Sequence, residues 1–162
     1  MMASPLASVL LWTTALSSGL MAGIYFAFSG FIMKSFGTLE TRYSVVAMNA
    51  INETILRSWF MPLFFGSTIT SIFLILLSIF NWREAGSMTG LIAGMVYLIG
   101  MFVCTTVFNV PLNNALAALH PDSVDAQRVW SHYLKRWTTW NHLRTVSSLL
   151  TSVLCIWLLN HQ

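Results

Sequence analysis

Four long uncharged runs constrain this chain more than any other feature of its sequence. They cover residues 1–33, 58–82, 85–121 and 145–162, so their lengths are 33, 25, 37 and 18 residues. A helix of about 20 apolar residues crosses a bilayer, and each run holds one such segment. We therefore predict an all-α fold in one domain, a transmembrane four-helix bundle with spans at about 6–33, 59–80, 88–108 and 143–159.

The composition supports a membrane location. Only 8% of the 162 residues are charged and 56% are hydrophobic, whereas about 25% of the residues of a soluble domain are charged. The first apolar run is too long for the core of a signal peptide, so we expect it to be retained as a span. The net charge of +3 comes with no dense basic run, so we expect contact with membrane lipid and none with nucleic acid.

The positive charges predict the orientation. Of the 8 Lys and Arg residues, only Arg83 lies in the second connection, and the others lie in or beside the first and third connections. Because Lys and Arg are enriched in cytoplasmic loops, we expect the first and third connections on the cytoplasmic side of a bacterial inner membrane. Both termini are then expected on the outer side.

The segments beside the spans also have helical composition. Residues 41–59 predict a helix before the second span, and Pro111 predicts that the third span ends near Phe108. No Gly or Pro occurs from Ser123 onward. We therefore predict one long helix that begins at Asp122 to Asp125, where the two carboxylates can cap it, and whose first half is an amphipathic extension of the last span. Three tryptophans of that half fit an aromatic belt at the headgroup level, namely Trp130, Trp137 and Trp140.

Small residues recur at four-residue intervals in two spans, as Ala15, Gly19, Gly23 and Ala27 and again as Gly86, Gly90 and Gly94. These stripes predict close packing of helices inside the bundle, with a homo-oligomer contact as the alternative. Cys104 and Cys155 lie within apolar spans, so we expect buried structural thiols. The Cys and His spacings fit neither a zinc site nor a haem site, and we expect no metal and no cofactor.

Polar side chains beside a bilayer need partners, and they form three groups here. The first, before span two, is Asn49, Asn52, Glu53 and Arg57, which share one helix face. The second surrounds Pro111 and is Asn109, Asn113 and Asn114. The third is Trp137, Asn141 and Arg144, on a face that Trp130 extends. Each group also has a simpler interpretation: an ion pair between Glu53 and Arg57 on a solvated surface, amides that cap a helix end, and an arginine that reaches lipid phosphate.

The predicted topology places all three groups at the same depth, beside the cytoplasmic boundary of the membrane. A bundle pocket lined by apolar and aromatic side chains, with a few amides and one guanidinium, suits a small, flat, apolar aromatic compound that carries carbonyl or phenol oxygens. His142 lies about 100° around the helix from Asn141 and about 160° from Arg144. His142 and Arg144 therefore cannot both face a narrow pocket.

Three segments resemble the anthrone-oxygenase-like family of small four-helix membrane proteins, most of whose bacterial members have no assigned function. They are MNAIN at Met48 to Asn52, FNVPLNNAL at Phe108 to Leu116, and W-x6-W-x2-WNHLRT at Trp130 to Thr145. The resemblance covers nearly the whole chain. It implies that six residues occupy motif positions of the family, namely Asn52, Pro111, Asn113, Trp137, Asn141 and Arg144.

The resemblance implies a chemistry as well, because fungal members of that family oxidise anthrones to anthraquinones with molecular oxygen and without metal or flavin. Arg144, Asn141 and Asn113 would then stabilise the developing oxyanion, and Trp137 would stack on the ring. The general base remains open between His142 and Glu53. Substrate-binding side chains would include Asn52, Asn109 and Trp130. The alternatives are a small-molecule transporter or efflux accessory, and a non-catalytic partner protein of the membrane.

Overall fold

Five helices follow one another in the computed structural model, which describes residues 4–161. They are α1 Pro5–Phe36, α2 Thr41–Ile55, α3 Phe60–Phe80, α4 Ser87–Ala117 and α5 Ala126–Leu159. All except α2 are long and apolar enough to cross a membrane, and the described range contains no strand. The predicted all-α membrane bundle is confirmed, and four long apolar helices indicate a multi-pass membrane protein.

The long last helix begins where its sequence predicts but without the expected side-chain cap. Asp125 occupies the N-cap position of α5, and its side chain caps no backbone N–H group. Instead, its carboxylate accepts hydrogen bonds from Arg128, with Nη2 2.9 Å away. The α1 helix has the conventional start, because the Ser4 hydroxyl accepts the N–H of Ala7 at 3.2 Å and Pro5 follows the cap.

The expected end of the third span at Phe108 is wrong, because α4 continues to Ala117. Two π-helical turns, Leu98–Val103 and Thr105–Asn109, interrupt its α-helical pattern. The α-helical pattern restarts at Val110, which places Pro111 in a first turn. A proline there lacks an N–H group that would have no partner within the turn in any case. The helix therefore passes through Pro111 without a break.

The α5 helix lies at the centre of the bundle and packs against α1, α2 and α4. Its amphipathic first half turns Trp130, Tyr133 and Trp137 inward. The expectation that Trp130 and Trp137 form part of an aromatic belt is therefore wrong, since both are buried. Trp140 is half-buried, and its ring stacks on Phe108 with centroids 3.8 Å apart.

Close packing depends on glycines of α4 and on hydroxyl groups. A Cβ atom added at Gly100 would lie 1.9 Å from the Ser147 hydroxyl oxygen, and one at Gly94 would lie 2.8 Å from the carbonyl oxygen of Ser71. Some buried hydroxyl groups donate to carbonyls of their own helix, as Ser71 does to Ser67 at 2.9 Å. Others join helices, since Ser152 of α5 donates to the Ala15 carbonyl of α1 at 2.8 Å.

Both cysteines are buried and free, as predicted. Cys155 lies in an apolar core near the turn that joins α3 to α4, together with Leu11 and Leu74. At the other end of the bundle, called here the α2 end because α2 covers it, Met33, Met48 and Trp130 belong to a second core. Between these two cores lie Met21, Tyr25, Tyr97 and Met101, and the cavity described below adjoins this middle level.

Candidate functional site

A cavity of about 730 Å³ lies towards the α2 end of the bundle and is lined by side chains from all five helices. Most of its wall is apolar and aromatic, including Phe28 of α1, Met48 of α2, and Phe60 and Phe64 of α3. The polar side chains in the wall are few, and Arg144 is the only basic one among the described residues that line it. A largely apolar wall with a few polar groups is typical of sites for small organic ligands.

The guanidinium of Arg144 is held between two aromatic rings in the cavity wall. Its Cζ atom lies 4.3 Å from the ring centroid of Tyr25 and 4.8 Å from that of Trp137. Arg144 is only 4% exposed, and among residues 4–161 no carboxylate forms an ion pair with it. Cation–π contacts and one hydrogen bond therefore replace a counter-ion. The Nε atom of Arg144 is buried without a hydrogen-bond partner.

Asn141 fixes the position of Arg144. Its side-chain oxygen accepts a hydrogen bond from Nη2 of Arg144 at 2.6 Å. Its Nδ2 atom donates to the carbonyl oxygen of Tyr25 at 2.6 Å and to the hydroxyl of Ser29. Ser29 lies in a π-helical turn of α1, Phe28–Ile32. Asn141 thus joins α5 to that turn and leaves its oxygen for the arginine.

Asn113 organises the aromatic side of the cavity. Its Oδ1 atom accepts hydrogen bonds from the Tyr133 hydroxyl and from the indole N–H of Trp137, both at 2.9 Å. Phe28 packs on the Trp137 ring with centroids 5.6 Å apart. Because one amide oxygen satisfies two aromatic donors, the orientation of Trp137 in the wall is fixed.

The α2 wall contributes amides with unused hydrogen-bonding capacity. Nδ2 of Asn49 donates to the carbonyl oxygen of Leu116 at 3.3 Å, while its Oδ1 atom is buried without a partner. Nδ2 of Asn52 is also buried without a partner. With Nε of Arg144, the cavity wall therefore holds two unpaired donors and one unpaired acceptor. Buried polar atoms without partners cost free energy.

Glu53 also lines the cavity, on its exposed edge. Within residues 4–161, the ion pair between Glu53 and Arg57 that the simpler interpretation of this group assumes does not form. Ion pairs instead join Arg42 to Asp122 and Arg128 to Asp125. The carboxylate of Glu53 is thus left without a cationic partner. His142, in contrast, is exposed on α5 and does not line the cavity.

Two further predicted binding residues lie beside the cavity and not in its wall. Asn109 is buried, and its Nδ2 atom donates to the carbonyl oxygen of Trp137 at 3.3 Å. Trp130 is buried on the Tyr133 ring, with centroids 5.6 Å apart. Both side chains contact residues that support the wall. The structure therefore brings six predicted residues to the site. Asn52, Glu53, Asn113, Trp137 and Arg144 lie in the wall, and Asn141 lies behind Arg144.

The sequence analysis missed Tyr25, which lies in the wall and stacks on Arg144. A signal was present, because Ser18, Tyr25 and Ser29 share one face of an otherwise apolar helix. Among the described residues, no group of three or more His, Cys, Asp or Glu side chains is placed to hold a metal ion. The polar groups of the site are amides, hydroxyls, one guanidinium and one carboxylate.

Comparison with known proteins gives one match. The family model described as anthrone oxygenase matches residues 57–154, which include Asn113, Trp137, Asn141 and Arg144. No curated protein and no solved structure gives a significant match. The matched segment covers α3, α4 and most of α5, which is more than half of the chain. The chain therefore belongs to the anthrone oxygenase family.

Proposed function

We propose that this protein binds a small, planar, apolar aromatic compound in the cavity and oxidises it with molecular oxygen, as a cofactor-independent oxygenase of anthrone or related phenol-type substrates. One observation carries the proposal: Arg144 is buried without a carboxylate, between Tyr25 and Trp137, with an unpaired Nε atom in the wall of an apolar cavity. A cation held in this way is suited to a ligand whose oxygen becomes negatively charged.

The shape and polarity of the cavity support a ring compound. Its volume of about 730 Å³ lies within the range of about 300–1,000 Å³ that is usual for small-molecule sites. Aromatic side chains of the α3 part of the wall, Phe60, Phe64 and Phe65, offer apolar surfaces against which a flat ring can pack. At the far edge of the ligand, Nδ2 of Asn52 would donate a hydrogen bond to an oxygen, and Oδ1 of Asn49 would accept one from a hydroxyl group.

The proposed reaction begins with removal of a proton from the central methylene of an anthrone. The resulting carbanion is delocalised onto the carbonyl oxygen, where Arg144 stabilises the negative charge. One electron passes from this anion to O2, and the two radicals combine to form a C–O bond. The resulting peroxide anion takes the proton back from the protonated base and becomes a hydroperoxide. Loss of water breaks the O–O bond and the second C–H bond, which gives the quinone carbonyl. One O2 is consumed for each water and each quinone formed.

Glu53 is the base that the placement of side chains favours. Its carboxylate lies at the cavity rim and forms no ion pair with Arg57 within the described range. His142 lies outside the cavity wall. A general base must reach the proton that it removes, so Glu53 is the better candidate. We further propose that the α2 end faces the cytoplasm of a bacterial inner membrane.

Oxygen consumption by the purified protein tests this function directly. With 1,8-dihydroxyanthrone we expect uptake of O2 in step with quinone formation, and we expect the same rate after treatment with a chelator. The variant Arg144→Met serves as the inactive control. Absence of turnover above that control would remove the oxygenase proposal, and loss of turnover with chelator would contradict the metal-independent chemistry.

A further inference from the structure

The helices α3 and α4 separate at the level of the cavity. They pack against each other along the Ser87–Val103 part of α4, whereas residues 105–117 pack against α2 and α5 instead. The two π-helical turns of α4 lie where this change of neighbours occurs. Such turns redirect a helix. A gap therefore remains between the first turns of α3 and the last turns of α4.

Part of the exposed cavity wall borders this gap. Phe65 and Val110 are wall residues with exposed fractions of 50% and 41%, and Thr106 of α4 is exposed as well. The other exposed wall residues lie nearer the α2 end and are Glu53, Leu56, Asn114 and Ala117. No wall residue on α1 or α5 is exposed. The cavity thus has an apolar opening between α3 and α4, besides the edge at Glu53, and is closed on the side of Arg144.

The depth of this opening matches that of Arg144. Phe65 precedes the end of α3 at Phe80 by 15 residues, and Arg144 precedes the end of α5 at Leu159 by 15 residues. Each therefore lies about 22 Å from the helix ends opposite α2, at a rise of about 1.5 Å per residue. The hydrocarbon core of a bilayer is about 30 Å thick. The opening beside Phe65 consequently faces acyl chains and not water.

We propose that the ligand enters the cavity sideways from the membrane, through the gap between α3 and α4. This inference rests on the proposed function and narrows the ligand to an uncharged, lipid-soluble aromatic phenol or ketone. The side chains at the opening favour such a molecule, since Phe65 and Val110 are apolar and the Thr106 hydroxyl donates to the carbonyl of Val103 at 3.1 Å. A charged compound would have to leave water before it met Arg144.

Two matched tryptophan substitutions on α4 test the route in proteoliposomes. Thr106→Trp adds bulk at the opening, while Val107→Trp adds the same ring on the next residue, which is 52% exposed and does not line the cavity. The probes are 1,8-dihydroxyanthraquinone, which is already oxidised, and its ring-sulfonated derivative, which stays in water. Binding is followed by quenching of tryptophan fluorescence, and thermal unfolding checks that each variant is folded.

We expect Thr106→Trp to slow association of the neutral quinone by about tenfold and Val107→Trp to leave the rate unchanged. Phe65→Ala, which widens the opening, should accelerate association, so the route can be tested even if Thr106→Trp does not fold. The sulfonated probe should bind about tenfold more weakly or worse. Equal rates in the two tryptophan variants, or equal binding of the two probes, would overturn lateral entry.

The two proposals fail in different ways. Binding of the neutral quinone with the expected dependence on Thr106, but no oxygen uptake with the anthrone, would remove the oxygenase and leave the entry route in place. Oxygen uptake that is the same in Thr106→Trp and Val107→Trp would retain the oxygenase and overturn the route. Binding of neither probe to the wild-type protein would overturn both.

Discussion

Replacement of Arg144 by methionine should separate the ligand-binding role of this residue from its structural cost. Methionine fills much of the same space between the rings of Tyr25 and Trp137 but carries no charge. If Arg144 is mainly structural, its replacement should lower the free energy of unfolding. If Arg144 mainly binds ligand, its replacement should weaken ligand binding and change the free energy of unfolding little, because burial of the charge itself costs free energy.

The contacts of Arg144 allow the two contributions to be compared. The substitution removes one charge-assisted hydrogen bond, to Asn141 at 2.6 Å, which contributes about 1.5–3 kcal/mol. It also removes two desolvated cation–π contacts, which contribute about 2 kcal/mol each. Against these losses stands the desolvation of an unpaired guanidinium that is 4% exposed, which costs several kcal/mol, about as much as the contacts supply. We therefore expect the free energy of unfolding to change by less than about 2 kcal/mol.

Ligand affinity should respond far more strongly. Loss of a charge-assisted hydrogen bond to a phenolate or carbonyl oxygen removes about 2–3 kcal/mol, which weakens binding about 30- to 150-fold. Asn141→Leu is the matched comparison, since it removes the hydrogen bonds that Asn141 makes with the Tyr25 carbonyl and with the Arg144 guanidinium and keeps the charge of Arg144 buried. That variant should lose about 3 kcal/mol of stability or more. Unfolding in detergent and quenching by 1,8-dihydroxyanthraquinone measure the two effects. The reasoning would be refuted if Arg144→Met lost as much stability as Asn141→Leu and still bound the quinone with wild-type affinity.

Two further pairs of variants test the packing and the choice of base. Gly100→Ala should destabilise the protein by about 1–3 kcal/mol, because the added Cβ atom would lie 1.9 Å from the Ser147 hydroxyl oxygen, whereas Gly23→Ala meets no atom within 4 Å and should leave the unfolding midpoint unchanged. Glu53→Gln should slow turnover of an anthrone about 100-fold without weakening quinone binding, and His142→Gln should retain the wild-type rate. A larger loss of turnover in His142→Gln than in Glu53→Gln would transfer the role of base to the histidine.

The membrane-spanning architecture could be predicted from sequence because the bilayer imposes it on composition. A span must be apolar over about 20 residues, so the uncharged runs located α1, α3, α4 and the second half of α5 before any contact was known. The long uninterrupted stretch after Ser123 predicted α5 for a similar local reason. In these regions the requirement acts on each segment separately, without reference to its neighbours.

The sequence failed where tertiary contacts decide the outcome. The prediction that the helix ends near Pro111 assumed an unbroken α-helical hydrogen-bond pattern. The π-helical turn at Thr105–Asn109 shifts that pattern and places Pro111 in the first turn of the next α-helical segment, where it does not interrupt the helix. Similarly, tryptophans such as Trp130 and Trp137 are typical of an aromatic belt at the membrane surface. Inside the bundle, however, Trp130 stacks on Tyr133 and Trp137 donates a hydrogen bond to Asn113. The spacing of three residues brings Tyr133 beside Trp130 on α5, but Asn113 lies on α4 and could not be identified from spacing along one helix.

The candidate site was predictable in part for the same reason. Trp137, Asn141 and Arg144 share a helix face by spacing alone, and their common depth with Asn113 followed from topology. The role of Asn141 as a link between Arg144 and α1 could not be predicted from the sequence. It depends on the Tyr25 carbonyl and on a π-helical turn of α1 that no sequence motif indicates. Local periodicity thus identified which side chains turn inward but not which groups they meet.

Photolabelling of the protein with an azido derivative of 1,8-dihydroxyanthraquinone tests most directly whether side chains of separate helices enclose a ligand site. We expect covalent adducts on wall residues of at least two helices, such as Tyr25, Met48 and Phe64, and we expect excess unlabelled quinone to prevent them. Adducts restricted to lipid-facing residues such as Leu16 and Leu149, with no protection by the quinone, would contradict an internal binding site.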